Sequence, residues 1–169
     1  RNSFNNKNTI IIWPETSFEG SIPSEKKLLS NFSKKILKNK NMTLILGLLR
    51  TDEKKVFNSL VFLNSEGDII HYYDKIKLVP FGEYIPFRKY LKIFSNYFSQ
   101  KDFKSGQFKT NLNIDGYGSA ITLICYEILF AKQIVDRISK NTKLLINITN
   151  DAWFGKTIGP YQHLALAKI

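Results

Sequence analysis

Ser119–Phe130 reads SAITLICYEILF. An apolar, β-rich run ends at Cys125, the chain's only cysteine, and Tyr126 and Glu127 follow at once. The periodicity then turns helical. The stretch is read as a buried strand, Tyr117–Cys125, handing over to a helix, Tyr126–Ser139. Open α/β sheets gather their ligands at the carboxyl ends of strands. A helix N-terminus at that junction would favour a thiolate through its free N–H groups and dipole. By itself, though, the stretch more readily sets a small buried hydrophobe, which is how most free cysteines behave.

Other stretches repeat the pattern of a buried strand that ends in a chemical group. Thr9–Trp13 (TIIIW) reads as a β-branched strand, Pro14 stops ladder pairing, and Glu15 follows. Met42–Leu49, Val56–Leu63 and Ile69–Tyr73 read as further strands, the last two joined by a Gly-containing hairpin connection. Ser24–Asn39 has apolar residues at helical spacing opposite lysines, with Ser24 as N-cap. Asp74–Pro86 (DKIKLVPFGEYIP) mixes prolines and a glycine with Lys75, Glu83 and aromatic residues. It reads as a packed loop, whose charges need partners.

Beyond that loop, Phe87–Gln100 is an aromatic-rich helix by pattern, with core packing as the default and contact with a bilayer surface as the alternative for Tyr90–Phe98. Lys101–Gly106 reads as a polar turn. Phe108–Ile114 pairs with Tyr117–Cys125 across Asp115-Gly116. Lys143–Ile148 is a buried strand, Thr149–Lys156 a loop holding Trp153 and Phe154, and Pro160 opens a helix.

Composition bounds the reading. The chain has 169 residues, one domain by length, and 43% hydrophobic residues, enough for a core. One cysteine excludes an internal disulfide framework. His71 and His163 form no zinc-ligand spacing, and no apolar run approaches the ~20 residues of a bilayer-crossing helix. The net charge of +11 favours anionic surfaces, but the basic residues are scattered and no nucleic-acid motif accompanies them, so no nucleic-acid partner is expected.

Glu15, Lys75 and Cys125 each stand at the mouth of a buried element. Taken singly, each has a plain structural reading: a capping acid, an ion pair, a core thiol. Taken together they supply a base, a cation and a nucleophile. A partly buried glutamate can take the thiol's proton, and an ammonium can stabilise an oxyanion. This is a thiol acyl-transfer set without histidine.

WPETS at Trp13–Ser17, YDK at Tyr73–Lys75, LVPFGEY at Leu78–Tyr84, CYE at Cys125–Glu127 and NDAWFG at Asn150–Gly155 occur in one order along the chain. In that order they resemble the nitrilase, or carbon–nitrogen hydrolase, superfamily, and in detail its apolipoprotein N-acyltransferase family. The resemblance runs from about Thr9 to the last residue. It implies an α-β-β-α sandwich, an α/β fold, here incomplete at both ends. It implies Glu15 as general base, Lys75 as oxyanion stabiliser, Cys125 as nucleophile and Glu83 as a second, supporting carboxylate. The Tyr-x-Lys pattern favours Lys75 over Lys77. Tyr126 and Glu127 would shape the site, and Trp153 and Phe154 would line the substrate entrance.

The implied reaction needs neither metal nor organic cofactor. Cys125 takes an acyl chain from a membrane phospholipid as a thioester, and the α-amino group of an apolipoprotein's diacylglyceryl-cysteine accepts it. That places the catalytic domain at the periplasmic side of a bacterial inner membrane, held by transmembrane segments outside this sequence, so the chain is expected to be an excerpt with open sheet edges. A small-molecule amidase shares the same triad and is the competing enzyme. An idle module retaining the fold is the non-enzymatic alternative.

Overall fold

The computed structural model describes residues 8–87, 102–107 and 111–168. The aromatic segment Tyr90–Phe98 lies outside the described residues.

One sheet is built from β1 (Thr9–Ile12), β2 (Ser21–Ile22), β3 (Met42–Asp52), β4 (Lys55–Leu63) and β5 (Ile69–Asp74). Its order is β1-β3-β4-β5, with β2 also on β3. β1 and β2 run parallel to β3 along its two halves, and β3, β4 and β5 are antiparallel neighbours. The second sheet has the order β6-β7-β8, from β6 (Leu112–Ile114), β7 (Gly118–Ile124) and β8 (Thr142–Ile148). β6 and β7 form the antiparallel hairpin that Asp115-Gly116 predicts, and β7 and β8 are parallel.

Side-chain alternation decides the layers. Successive strand residues face opposite ways. Leu44, Leu46 and Leu48 of β3 pack with Leu29 and Leu37 around helix α1 (Lys26–Ile36). Ile45, with Leu60, Phe62 and Tyr73, packs instead against Ile114, Ala120, Ile124, Ile146 and Ile148 of the second sheet. A strand buried on both faces reads as a continuous apolar run, which is why MTLILGLL shows no alternation. The result is the helix-on-sheet-on-sheet stacking of an α-β-β-α sandwich. The amphipathic α1 lays its apolar stripe on the sheet because burial of such side chains contributes about 1.5–3 kcal/mol each.

Several expected elements are corrected. Helix Tyr126–Ser139 is instead a 3-10 turn over Cys125–Leu129, a break at Phe130, and the five-residue helix α2 (Ala131–Val135). Local periodicity loses there to the buried Glu127, whose tertiary hydrogen bonds hold the turn. Ser24 does not cap α1: its N-cap is Glu25, whose carboxylate accepts the N–H of Ser21. β2 was not anticipated, and β3 runs on to Asp52. Residues 102–107 are a strap rather than a free turn, their N–H groups bonding to the carbonyls of Glu83, Val56 and Lys75. The final helix, α3 (Gly159–Ala167), starts with Pro160 in its first turn as expected.

Candidate active site

Glu15 is positioned by a crossing of backbones. Between β1 and β2 the chain passes over Gly47 of β3: the Gly47 N–H bonds to Pro14 O, and the Phe18 N–H bonds to Gly47 O. A Cβ on Gly47 would stand 2.6 Å from both Glu15 Cα and Thr16 N. Only a residue without a side chain lets the segment lie this close. The crossing turns the Glu15 side chain inward, where it is buried.

Lys75 sits one residue past β5, and its N–H bonds to the Asn58 carbonyl. Its side chain is 1% exposed. Nζ lies 3.4 Å from Glu15 Oε1 and 3.1 Å from Glu83 Oε1. Burial opposes the ammonium's charge, but the Glu15 and Glu83 carboxylates outweigh it and hold Lys75 above its ordinary range. The Tyr126 ring lies 5.6 Å from Nζ, and its hydroxyl donates to Leu78 O. Lys77 points elsewhere, its Nζ 5.5 Å from the centre of the Phe130 ring.

Glu83 closes the loop that carries Lys75. Its Oε2 accepts the Val79 N–H at 2.8 Å, tying the acid to the start of its own turn. That turn places Phe81 outward, 63% exposed, with its φ at 63°.

Cys125 follows β7 directly and takes the left-handed region, φ 57°. For a non-glycine residue such backbone costs on the order of 1–3 kcal/mol, and the surroundings must hold it there. Two contacts do so: Asn147 Nδ2 donates to the Cys125 carbonyl, and the Glu127 carboxylate accepts the Ile124 N–H. Burial raises the thiol's pKa, and the Glu15 charge raises it further. Lys75, Thr149 and the Tyr126 N–H act against that rise without cancelling it. The expectation of a thiolate stabilised by a helix N-terminus is therefore corrected. No α-helix starts at Cys125, and burial with the Glu15 charge outweighs the donors that favour the thiolate.

Glu127 is fully buried. Its carboxylate accepts the N–H groups of Ile76, Lys77 and Ile124 and the Tyr73 hydroxyl. It thus joins the Cys125 turn to the Lys75 loop. Burial pushes its pKa up, against the lowering by these donors. Phe154 is 45% exposed in the 3-10 turn Asp151–Phe154. The side chain of Trp153 is outside the description.

Sequence reading missed Asn58 and Asn150. Asn58 Nδ2 donates to Glu15 Oε1 at 2.7 Å and to Glu83 Oε1 at 2.8 Å. The Asn150 backbone N–H donates to Glu15 Oε2 at 3.1 Å. Asn150 opens the NDAWFG motif, so a signal for it existed. Asn58 lies inside an apolar strand, where the polar pair Asn58-Ser59 was the available sign.

The carbon–nitrogen hydrolase family profile matches residues 5–169. The chain belongs to the carbon–nitrogen hydrolase family. Among its curated relatives, the apolipoprotein N-acyltransferase of Vibrio cholerae is 33% identical over 95% of this chain and 33% of its own length. That of Rhizobium leguminosarum is 35% identical over 96% of this chain and 32% of its own length, and that of Wigglesworthia glossinidia 36% identical over 97% and 34%. The chain thus spans about a third of the length of these relatives.

Solved structures of carbon–nitrogen hydrolases share the fold. A superfamily protein of Xanthomonas campestris gives a TM-score of 0.61 at 16% identity, covering 94% of this chain and 57% of its own. Nit3 of Saccharomyces cerevisiae gives 0.61 at 18% identity, covering 94% and 56%. No helix among the described residues of this carbon–nitrogen hydrolase chain is long and apolar enough to cross a membrane.

Proposed function

We propose that this chain carries the acyl-transfer centre of an apolipoprotein N-acyltransferase. The observation that carries the reading is the convergence of Glu15, Cys125 and the loop that carries Lys75 and Glu83 from three separate stretches, in a chain whose relatives bear that name. The acyl donor is a membrane phospholipid, and the acceptor is the α-amino group of an apolipoprotein's diacylglyceryl-cysteine. The working surface is a bacterial inner membrane on its periplasmic side.

The chemistry follows from the site. Cys125 Sγ attacks the phospholipid ester carbonyl as Glu15 takes the thiol proton. Glu15 Oε1 is already shared by Asn58 and Lys75, whereas Oε2 has a single backbone donor among the described residues. Oε2 is therefore the oxygen that receives the proton. Lys75 and the Tyr126 N–H stabilise the tetrahedral oxyanion. Collapse breaks the C–O bond of the ester, and the departing lysophospholipid oxygen recovers the proton from Glu15. In the second half-reaction the lipoprotein amine attacks the thioester, loses its proton to Glu15, and leaves as an amide while Cys125 regains its hydrogen.

The test is intact-mass measurement on the full-length protein in detergent with phospholipid, beside Cys125→Ala. The expected result is a hydroxylamine-labile gain of one acyl chain only where Cys125 is present. Absence of that adduct, with Cys125-dependent hydrolysis of small amides, would replace the reading by an amidase.

A further inference from the structure

Glu15 Oε1 and Glu83 Oε1 each receive the same two donors, Lys75 Nζ and Asn58 Nδ2. The four atoms form a closed ring in which donors and acceptors alternate. One corner is a cation and the opposite corner a neutral amide. Among the described residues the buried ring thus sets two carboxylates against a single ammonium, with Asn58 supplying the remaining hydrogens. The orientation of the amide is dictated, since its reverse would aim a carbonyl oxygen at two carboxylates. Asn58 Oδ1 is buried with no hydrogen-bond partner among the described residues, so the residue gives up one satisfied atom to keep its amide hydrogens on the acids. Its main chain serves the same site, because its carbonyl accepts the Lys75 N–H at 2.8 Å.

We infer that Asn58 is a positioning residue that holds both site carboxylates aligned around Lys75. This rests on the acyl-transfer reading of the site, but not on the identity of the acyl donor. Buried like charges share a proton unless donors favour the charged form. Lys75 alone offers each acid one hydrogen bond. The second, from Asn58, fixes the orientation of the Glu15 and Glu83 carboxylates toward Lys75. Asn58 gives its amide hydrogens to the two acids and acts through them.

The experiment uses the full-length protein in detergent and measures single-turnover acylation of Cys125 by a p-nitrophenyl ester and, separately, by phospholipid, across the pH range. In Asn58→Leu, acylation by the ester slows about tenfold near neutral pH with half-saturation unchanged, and the acid limb moves to higher pH. An acid limb that Asn58→Leu leaves in place, whatever the loss of thermal stability, overturns the proposal. Where Asn58→Leu does not fold, the near-isosteric Asn58→Asp is read instead: a third carboxyl must push the limb up, and an unmoved limb overturns the proposal equally. Wild-type acylation by the ester but not by phospholipid would remove the lipid donor and leave the Asn58 test intact. Acylation by neither would overturn both.

Discussion

The Glu127 carboxylate accepts the N–H of Ile76 at 2.8 Å, and across that bond the turn that carries Cys125 is joined to the loop that carries Lys75. Neither segment is regular structure that would hold itself in place. Cys125 opens a short 3-10 turn in the left-handed region, and Lys75 lies just past the end of β5. One buried acid supplies the acceptors that both need.

Glu127→Gln should therefore damage both stability and acylation. An amide retains one oxygen but turns its NH2 toward groups that are themselves donors. Each buried N–H left unpaired costs about 1–3 kcal/mol. Thermal unfolding of the full-length protein should show a fall of several degrees, and Cys125 acylation should fall by more than the folded fraction accounts for. Equal losses in both would mean that Glu127 only supports the fold.

Lys75→Met should remove acylation and destabilise the protein by about 3–5 kcal/mol at neutral pH, since it leaves two buried carboxylates without their cation. Because Lys75 is held above its ordinary range in the fold, its charge contributes fully below the unfolded pKa and that contribution is lost as pH rises through the folded one. A stability difference that does not change with pH would show that Lys75 contributes packing rather than charge.

The Cys125 thiol provides a pH test with a defined sign. Its folded pKa is raised above the unfolded value, by burial first and by Glu15 second. Its contribution to stability is full below the unfolded pKa and is lost as pH rises through the folded one. The wild type should lose stability on the alkaline side relative to Cys125→Ser. Glu15→Gln should move two readouts in opposite directions: alkylation of Cys125 by iodoacetamide speeds up severalfold near neutral pH, while acylation by an ester is lost. Slower alkylation in Glu15→Gln would contradict this electrostatic account.

Gly47→Ala places a methyl group where the Glu15 and Thr16 backbone passes. The expected cost is about 1–3 kcal/mol of stability from overpacking. Displacing the base by about an ångström should slow acylation on the order of a hundredfold. A folded Gly47→Ala protein with undiminished acylation would show that Glu15 does not depend on this crossing.

Ion pairing elsewhere has a purely structural use. Arg50 donates two hydrogen bonds to the Asp74 carboxylate, which also accepts from Ser59. The cluster anchors β5 to β3 and β4 one residue before Lys75. Asp74→Asn should lower the unfolding temperature through the Arg50 guanidinium left beside a neutral amide, with acylation falling only in step with the folded fraction.

Glu15 and Cys125 stood out because each lies at the end of an apolar run long enough to be a strand, and Lys75 because it lies in a packed loop whose charges need partners. The strands themselves were legible because β-branched runs between turn signals have few other fates. The amino-acid order also carried the motifs that mark the carbon–nitrogen hydrolase family. What it could not carry was which polar atoms meet. Asn58 and the Asn150 N–H reach Glu15 from positions 43 and 135 residues away in the chain. The helix expected after Cys125 gives way because Glu127 finds its partners in another loop, and long-range hydrogen bonds at a buried acid outweigh local periodicity. The thiol's electrostatics were decided in the same way: local sequence suggested a helix dipole lowering its pKa, whereas burial and Glu15, brought close only by the packing of two sheets, raise it.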